Sequence, residues 1–353
     1  MCKLEVNIKS TETNYPIFIN SHDISSLKEA VSEYINGKNY IVVINKTVYK
    51  LYSKTLGFPK DKIFIVNDGE NQKNMQNFIK ILNFALSKKL TREDSIISVG
   101  GGVVGDLAGF AASAYMRGIN YIQIPTTLLA CTDSSVGGKT AINTKFGKNL
   151  VGSFYQPKAV FINVNFLKTL DQKQFLSGMG EVVKYALIEK SCQCREDLNL
   201  INFLNEHKDK ILNKDITVLR ELIEICVKLK ISVVDKDEKE AGLRKILNYG
   251  HTYGHAVENL TGYKKYTHGE CVIAGILFAL NFAFKQGKID KEYKFLCEDL
   301  ISKFNFSKIP SFDKNRVKSV IKTDKKATDN HITLILPTQY AQVESFKFSS
   351  EEL

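Results

Sequence analysis

The amino-acid sequence predicts an α/β domain with a mostly parallel sheet, followed by a mainly α-helical domain. Continuous apolar, β-branched runs at 40–44, 62–66, 95–99 and 121–124 are typical of strands that are buried on both faces of a sheet. Helical periodicity fills the gaps between these runs, which favours a doubly wound arrangement. Beyond Leu170 the strand-like runs largely stop and helical patterns take over.

The remaining elements complete a two-domain plan. At 353 residues the chain can bury two cores, and we expect domains at 1–165 and 166–353, with the active site in a cleft between them. Two strands and a helix precede the first apolar run, at 4–8, 15–19 and 25–34. The later predicted elements are helices at 74–89, 177–189, 198–207, 215–233, 269–284 and 291–304 and a strand at 331–336.

The composition excludes several classes of protein. Hydrophobic residues make up 44% and charged residues 25% of the chain, as in ordinary soluble proteins, and the N-terminus has no signal-peptide pattern. The longest apolar run, 271–284, is too short to span a membrane, so we expect a buried helix there. Seven scattered cysteines favour a reducing cytoplasm over a disulfide framework.

The net charge of +11 indicates what kind of partner to expect. No basic run is interleaved with aromatic residues and tryptophan is absent, so we expect neither nucleic acid nor a membrane as a partner. Surplus lysines can instead steer and hold a small anionic substrate.

A glycine-rich turn directly follows the run at 95–99. Gly100 to Ala108 read G-G-G-V-V-G-D-L-A, which fits the G-x-G-x-x-G pattern that binds a dinucleotide pyrophosphate in Rossmann-like, NAD-binding domains. The motif does not open the first strand–helix unit, and Asn120 and Tyr121 stand where an acidic residue is usual. A tight turn without a ligand is therefore the alternative.

Two further strands of this domain also end in polar residues. Asn67 to Lys73 (N-D-G-E-N-Q-K) follow one strand and offer acidic groups suited to ribose hydroxyls and a lysine suited to phosphate. Thr126 and Thr127 follow another strand. Because ligands collect at the carboxyl ends of parallel strands, these residues favour a nucleotide site.

Lysines and carboxylates form a second group of candidates. The segment 133–140 (D-S-S-V-G-G-K-T) is not a Walker A loop, because Asp133 stands where the first glycine would be. It is expected to present Asp133 and Lys139 on a flexible loop. Glu181 and Lys184 lie one helical turn apart, either as a surface ion pair or as a partly buried functional pair.

Three of the six histidines fall within 244–270. His251 and His255 are four residues apart and would share one helix face, and His268 follows a turn. Two of the three, together with Glu181, would make a catalytic zinc-type site with three protein ligands. A chance grouping of core or surface histidines is the alternative.

Taken together, the motifs resemble the 3-dehydroquinate synthase family of sugar-phosphate cyclases, in order over about 40–340. The matching motifs are D-G-E-x-x-K (68–73), G-G-G-V-V-G-D (100–106), P-T-T-L-L-A (125–130), D-S-S-V-G-G-K-T (133–140), G-K-N-L-V-G-S-F-Y-Q-P (147–157), G-E-V-V-K-Y (180–185), R-K-I-L-N-Y-G-H-T-Y-G-H-A (244–256) and H-G-E (268–270).

The resemblance implies a lyase of the shikimate pathway, which leads to chorismate and the aromatic amino acids. Family members convert 3-deoxy-D-arabino-heptulosonate 7-phosphate to 3-dehydroquinate and phosphate, using NAD and a divalent zinc or cobalt ion. They oxidise a ring hydroxyl transiently, eliminate phosphate, reduce the ketone again and close the carbocycle by an intramolecular aldol reaction. The resemblance also implies a homodimer.

The resemblance further assigns roles to individual residues. The expected metal ligands are Glu181, His251 and His268. The residues expected to bind NAD are Asn45, Asp68, Gly69, Glu70, Asn71, Gln72, Lys73, Gly102, Val103, Val104, Gly105, Asp106, Thr126, Thr127, Asp133, Ser134, Lys139, Lys148, Phe166, Leu167, Lys168 and Thr169. The residues expected to contact substrate or take part in catalysis are Lys139, Asn149, Lys184, Lys230, Arg244, Asn248, His255, one of Lys325 and Lys326, and Arg117, which a neighbouring subunit would supply.

The sequence pattern allows three alternative functions: two other enzyme activities and one binding function. Sugar-phosphate cyclases that make valiolone- or inosose-type products share the fold, but Lys230, Asn248 and His255 together argue against them. A metal-dependent glycerol-phosphate or polyol dehydrogenase would consume NAD, and the 133–140 loop argues for a cyclase instead. A binding protein that kept an inactive NAD fold is disfavoured by the intact set of candidate metal ligands.

Overall fold

The computed structural model describes residues 1–310, 312–323 and 331–349. These residues pack into two compact units. The first contains Met1–Leu170 and Ile216–Val227, and the second contains Asp171–Asp215 and the residues from Lys228 onward. The first unit therefore includes part of a helix that we assigned to the helical half from the sequence.

The first unit contains a seven-stranded sheet with helices between its strands. The strands of this unit are β1 (Cys2–Ile8), β2 (Thr13–Asn20), β3 (Tyr40–Asn45), β4 (Ile63–Val66), β5 (Ser95–Gly100), β6 (Asn120–Pro125), β7 (Lys139–Thr144), β8 (Gly147–Phe154) and β9 (Ala159–Asn163), of which β7 and β8 form a separate two-stranded sheet. Its helices include α1 (Leu27–Ile35), α2 (Lys46–Leu56), α3 (Met75–Ser87) and α4 (Gly102–Ala114). The order in the sheet is β1-β2-β9-β6-β5-β3-β4, with β1 and β2 antiparallel and the other pairs parallel. The predicted mostly parallel sheet is confirmed.

The apolar runs form strands because both faces of the sheet are covered by helices. Along β3, Val42 and Ile44 pack with residues of α1 and α2, whereas Ile41 and Val43 pack with residues of α3 and α4. All four side chains are at most 1% exposed, so each strand residue contributes to one of two cores. A strand buried on both faces has no polar alternation, which is why the sequence pattern identifies it.

The second unit is mainly helical among its described residues, as predicted. It contains α5 (Gln172–Ile188), α6 (Leu200–Leu212), the end of α7 (Ile216–Val234), α8 (His251–Leu260), α9 (His268–Lys285), α10 (Lys291–Ser302), α11 (Lys314–Thr323), β10 (His331–Gln339) and β11 (Gln342–Ser349). Helix α9 is long and apolar enough to cross a membrane, but 56% of it is buried inside the protein. It is a core helix, as we expected for 271–284.

The sequence analysis missed two antiparallel hairpins. One is β7–β8, which begins at the end of the 133–140 segment that we expected to be a loop, and the other is β10–β11, where we predicted a single strand ending at Pro337. Strand β10 continues through Pro337 because the register becomes irregular between Pro337 and Gln339. A proline is tolerated at such an irregularity.

A capping box fixes the start of α9. The Thr267 hydroxyl accepts from the backbone N–H of Glu270, and the Glu270 carboxylate accepts from the backbone N–H of Thr267 at 2.7 Å. Burial would raise the pKa of Glu270, but hydrogen bonds from the Ser307 side chain and from Thr267 outweigh it and hold the pKa below the usual 4.5. A carboxylate with a lowered folded pKa stabilises the fold above its unfolded pKa, and this stabilisation is lost as the pH falls through the folded value.

We expect Glu270→Gln to lower the free energy of unfolding by about 1 kcal/mol at pH 7 and by less below about pH 4.5. Denaturant unfolding at several pH values measures this difference. Glu292→Gln, in the first turn of α10, is the matched control, because Glu292 is exposed. A destabilisation by Glu270→Gln that does not change with pH would contradict the role of its charge.

Candidate active site

Glycines let three helices of the second unit approach backbone to backbone. A Cβ on Gly269 of α9 would lie 1.9 Å from the backbone oxygen of Ser177 on α5, and a Cβ on Gly180 of α5 would lie 2.5 Å from that of Gly269. A Cβ on Gly275 of α9 would lie 1.8 Å from the oxygen of Gly250, the residue before α8. These glycines therefore fix where α9 crosses α5 and α8.

Three side chains converge beside these crossings, each from a residue adjoining one of the glycines. The Nε2 atoms of His251 and His268 lie 3.4 Å and 3.3 Å from Oε1 of Glu181. The Glu181 side chain is 1% exposed, and neither of its oxygens accepts a well-aligned hydrogen bond within the described part of the chain. Because buried carboxylates normally have partners, this arrangement fits a divalent metal bound by one carboxylate and two imidazoles.

Lys184 supplies a positive charge next to this cluster. Its ammonium forms an ion pair with Oε2 of Glu181, and the two side chains are 2% and 1% exposed. The pair is therefore buried, and the surface-pair alternative is wrong. Burial would raise the pKa of Glu181, but Lys184 and His251 together hold that pKa well below its usual 4.5.

The two histidines have opposite electrostatic environments. Burial lowers the pKa of His251 to about 4, so its ring is neutral at pH 7, the form that binds metals. Burial would also lower the pKa of His268, but the nearby carboxylates of Glu181 and Glu258 raise it to about 10. The His268 ring thus lies between two carboxylates, one beside each nitrogen, and this environment favours a cation, whether that cation is a proton or a metal ion.

The second nitrogen of each ring also has a partner. Nδ1 of His268 lies 3.4 Å from Oε1 of Glu258, and Nδ1 of His251 lies 3.1 Å from the backbone oxygen of Tyr249. Such outer partners orient metal-binding histidines and make them more basic. The sequence analysis missed Glu258, although it stands seven residues after His251 and so lies on the same face of α8.

We expect Glu258→Gln to weaken zinc or cobalt binding by about 10- to 100-fold, because a carboxylate that orients and polarises His268 is replaced by an amide. Competition with a chelator measures the affinity. Glu206→Gln on α6, an exposed position, is the control. Equal metal affinities of the Glu258 variant and the unmodified chain would contradict this role.

The other candidates of the second unit lie on α7 and α8 and in the segment between them. Lys230 is 5% and Arg244 1% exposed, and Arg244 donates to the backbone oxygen of Glu238. Asn248 donates to Glu240. The ring centroid of His255 lies 5.4 Å from that of His251 and 6.1 Å from that of His268. Lys325 and Lys326 lie outside the described residues.

In the first unit, the carboxyl ends of four neighbouring strands bring the candidate NAD residues together. Strands β4, β3, β5 and β6 are adjacent in the sheet. Asp68, after β4, accepts from Nδ2 of Asn45 at 2.5 Å and from the Thr47 hydroxyl at 2.8 Å. The backbone N–H of Thr126, after β6, donates to the oxygen of Gly100 at 3.0 Å.

The turn after β4 is tied to α4. Residues 70–72 form a short 3-10 turn after Gly69, which has a φ of 108°. The Lys73 ammonium, with a side chain 5% exposed, lies 2.5 Å from Oδ2 of Asp106 and 3.9 Å from Oε1 of Glu70. Lys73 thus balances two carboxylates of the candidate site, and its contact with a phosphate stays a prediction.

The glycine turn between β5 and α4 fits a pyrophosphate. A Cβ on Gly101 would lie 3.0 Å from the Thr127 side chain, and one on Gly102 would lie 3.0 Å from the Ser134 hydroxyl. The first turn of α4 contains no acidic residue, so its N–H groups and the positive end of the helix dipole favour an anion.

The remaining candidate residues of the first unit lie in several different elements. Asp133 and Ser134 belong to a π-helical turn, Ala130–Ser134, a rare element that is frequent at functional sites. Phe166 and Leu167 are at most 1% exposed, so only their backbone could contact NAD. The Thr169 hydroxyl lies 2.6 Å from that of Tyr52. The further candidates are Val103, Val104 and Gly105 in α4, Lys168 beside Thr169, Lys139, Lys148 and Asn149 in the hairpin β7–β8, and Arg117 after α4.

Comparison with known proteins places this geometry in a family. The family model described as 3-dehydroquinate synthase N-terminal matches residues 63–177, and the C-terminal one matches residues 178–327. The chain belongs to the 3-dehydroquinate synthase family. A 3-dehydroquinate synthase of Dictyoglomus thermophilum is 42% identical over 341 residues, covering 96% of this chain and 93% of that protein. One of Alkaliphilus metalliredigens is 40% identical, covering 100% of this chain and 97% of that protein.

Solved structures of related enzymes share the fold of this 3-dehydroquinate synthase family member. A 2-deoxy-scyllo-inosose synthase complexed with carbaglucose-6-phosphate, NAD+ and Co2+ has a TM-score of 0.85 at 24% identity, covering 99% of this chain and 98% of that one. A probable glycerol dehydrogenase from Sinorhizobium meliloti 1021 has a TM-score of 0.65 at 15% identity, covering 86% and 88%. The same fold is therefore present in both cyclases and dehydrogenases.

Proposed function

We propose that this chain converts 3-deoxy-D-arabino-heptulosonate 7-phosphate to 3-dehydroquinate and phosphate, in the shikimate pathway. The observation that carries the proposal is the cluster of the buried Glu181 with the half-buried His251 and His268, in a chain that matches the family in both of its domains. Relatives at about 40% identity over the full length carry the name of this activity, whereas the inosose synthase is 24% identical.

The cofactors supply what amino-acid side chains cannot. A zinc or cobalt ion held by Glu181, His251 and His268 would polarise the hydroxyl that is oxidised. NAD would be held by the residues at the strand ends of the first unit and would supply reversible hydride transfer, so that no NAD is consumed overall. The buried carboxylate and the glycine turn described above fit these two groups.

The chain's own residues bind the anionic substrate and move protons. Lys184, paired with Glu181, keeps that carboxylate ionised beside the histidines. Lys139, Lys230 and Arg244 are the cations proposed for the carboxylate and phosphate of the substrate, because charge-assisted hydrogen bonds hold such groups strongly. His255 is proposed to transfer a proton, as imidazole can do near neutral pH.

The test is phosphate release from the heptulosonate phosphate by the purified chain with NAD and zinc or cobalt. We expect release that a chelator abolishes and that added metal restores, with many phosphates released per NAD. Reduction of NAD in proportion to product would instead identify a dehydrogenase, the second candidate, whose fold this chain shares. Turnover of a sugar phosphate without a carboxylate would identify another cyclase.

We also propose that the enzyme is a cytoplasmic homodimer. Strand β8 exposes Leu150, Val151 and Phe154 by 38–40%, an apolar strand edge that a second copy could cover. Arg117 adopts a left-handed φ of 66°, which supports a functional role for its position. Light scattering should give twice the chain mass, and a monomer at all concentrations would contradict the dimer. None of the seven cysteines, all of which lie in the described part of the chain, forms a disulfide bond, as suits a reducing compartment.

A further inference from the structure

We propose that Asn143 is a positioning residue that couples the NAD-binding turn at 70–73 to the substrate-contacting Asn149. Its amide nitrogen Nδ2 donates to Oε1 of Glu70 at 2.8 Å, and its amide oxygen Oδ1 accepts from the backbone N–H of Asn149 at 3.0 Å. The backbone N–H of Asn143 donates to the oxygen of Lys73 at 2.7 Å. The inference rests on the proposed function, which assigns Glu70 to NAD and Asn149 to substrate.

The backbone at and near Asn143 departs from a regular hairpin. The pairing of β7 with β8 is irregular between Ile142 and Thr144, so Asn143 lies at a bulge, and it also bridges to Asn74 beside α3. Bulges next to active sites re-aim side chains. Asn149 adopts a left-handed φ of 56°, a conformation that is uncommon for residues other than glycine and needs support from its surroundings.

The chemistry of the amide explains why asparagine stands here. A carboxylate must be met by a donor and a backbone N–H by an acceptor, and one planar amide offers both. Its short side chain keeps the donor and acceptor at a fixed separation. Because Oε1 of Glu70 accepts from Asn143, we assign the ribose hydroxyl of the proposed NAD contact to the other oxygen, Oε2.

Asn143→Asp separates the two functions of the amide. The new carboxylate still accepts from the N–H of Asn149, but it faces Glu70 with a like charge instead of a donor. Lys73, 3.9 Å from Oε1 of Glu70, and Asp106, paired with Lys73, are the charged groups around Glu70 and are common to all variants. Asn143→Ala removes both the donor and the acceptor.

The experiment measures the Kd for NAD by calorimetry and kcat and KM for the heptulosonate phosphate, with metal bound. We expect Asn143→Asp to raise the Kd for NAD by about tenfold or more at pH 8 and to leave the substrate KM within about twofold. Asn143→Ala should raise both. The ratio of the Kd of Asn143→Asp to that of the unmodified chain should shrink towards pH 5, because two facing carboxyl groups then share a proton.

Asn120→Asp is the matched control. Asn120 is also half-buried and donates its amide to a backbone oxygen, that of Glu93, at the amino-terminal end of β6. It should leave both constants unchanged. An unaltered Kd for NAD in Asn143→Asp, or a loss that is the same at every pH, would overturn the coupling while leaving the proposed function intact. Failure of the unmodified chain to bind NAD would overturn both. If Asn143→Ala does not fold, Asn143→Asp alone decides.

Discussion

His251→Ala is expected to leave the chain folded but without bound zinc or cobalt after dialysis, and to lower kcat for phosphate release by at least about 10³-fold. The neutral imidazole of His251 is the ligand that is ready to bind at pH 7, because burial lowers its pKa to about 4. Its removal leaves one carboxylate and one imidazole, whereas a catalytic zinc site has three protein ligands. Metal analysis and phosphate release measure the two effects.

Two comparisons make this result specific to the metal. His207→Ala removes a histidine of α6 whose ring packs against Phe203, and it should leave metal content and activity unchanged. The Kd of His251→Ala for NAD should stay within about twofold of that of the unmodified chain, because no residue assigned to NAD binding is changed. One full equivalent of metal retained by an active His251→Ala enzyme would refute the ligand assignment.

The strands of the first unit could be predicted because burial on both faces leaves a simple pattern in the sequence. Residues 40–44 and 95–99 are apolar throughout or nearly so, and both segments are central in the sheet. The hairpins β7–β8 and β10–β11 could not be predicted in this way. Strand β8 is exposed along most of its length, so its sequence has no burial pattern to detect.

The candidate site was predictable only in part for a similar reason. Residue types and spacing identified His251 and His255 as neighbours on one helix and grouped Glu181 with two of the three histidines, but which two of them bind the metal followed only from the family resemblance. The contact of Glu258 with His268 and the bridge made by Asn143 join segments that are distant along the chain or differ in secondary structure. Such contacts depend on how helices cross and where a strand bulges, and neither is encoded in local periodicity.

The second large expected effect comes from a substitution at the crossing of α5 and α9. We expect Gly269→Ala to reduce metal content and to lower kcat/KM by at least about 100-fold, because displacing a reacting group by about 1 Å has that cost. The added methyl group would lie 1.9 Å from the backbone oxygen of Ser177, so truncating a side chain cannot relieve the clash. Helix α9 must move, and His268 moves with it because it is the preceding residue. The strain should also lower the free energy of unfolding by about 1–3 kcal/mol or more.

Gly287→Ala is the control that separates this packing effect from backbone strain. Gly287 follows α9 with a φ of +66°, and a Cβ there would have no heavy atom within 4 Å among the described residues. Its substitution should lower the free energy of unfolding by about 1–2 kcal/mol through the left-handed backbone alone, without loss of metal. Denaturant unfolding should therefore show a loss of stability in both variants, whereas metal analysis should show a loss of metal only in Gly269→Ala. If Gly269→Ala binds metal as tightly as Gly287→Ala, the close contact of α5 and α9 is not what holds Glu181 and His268 together.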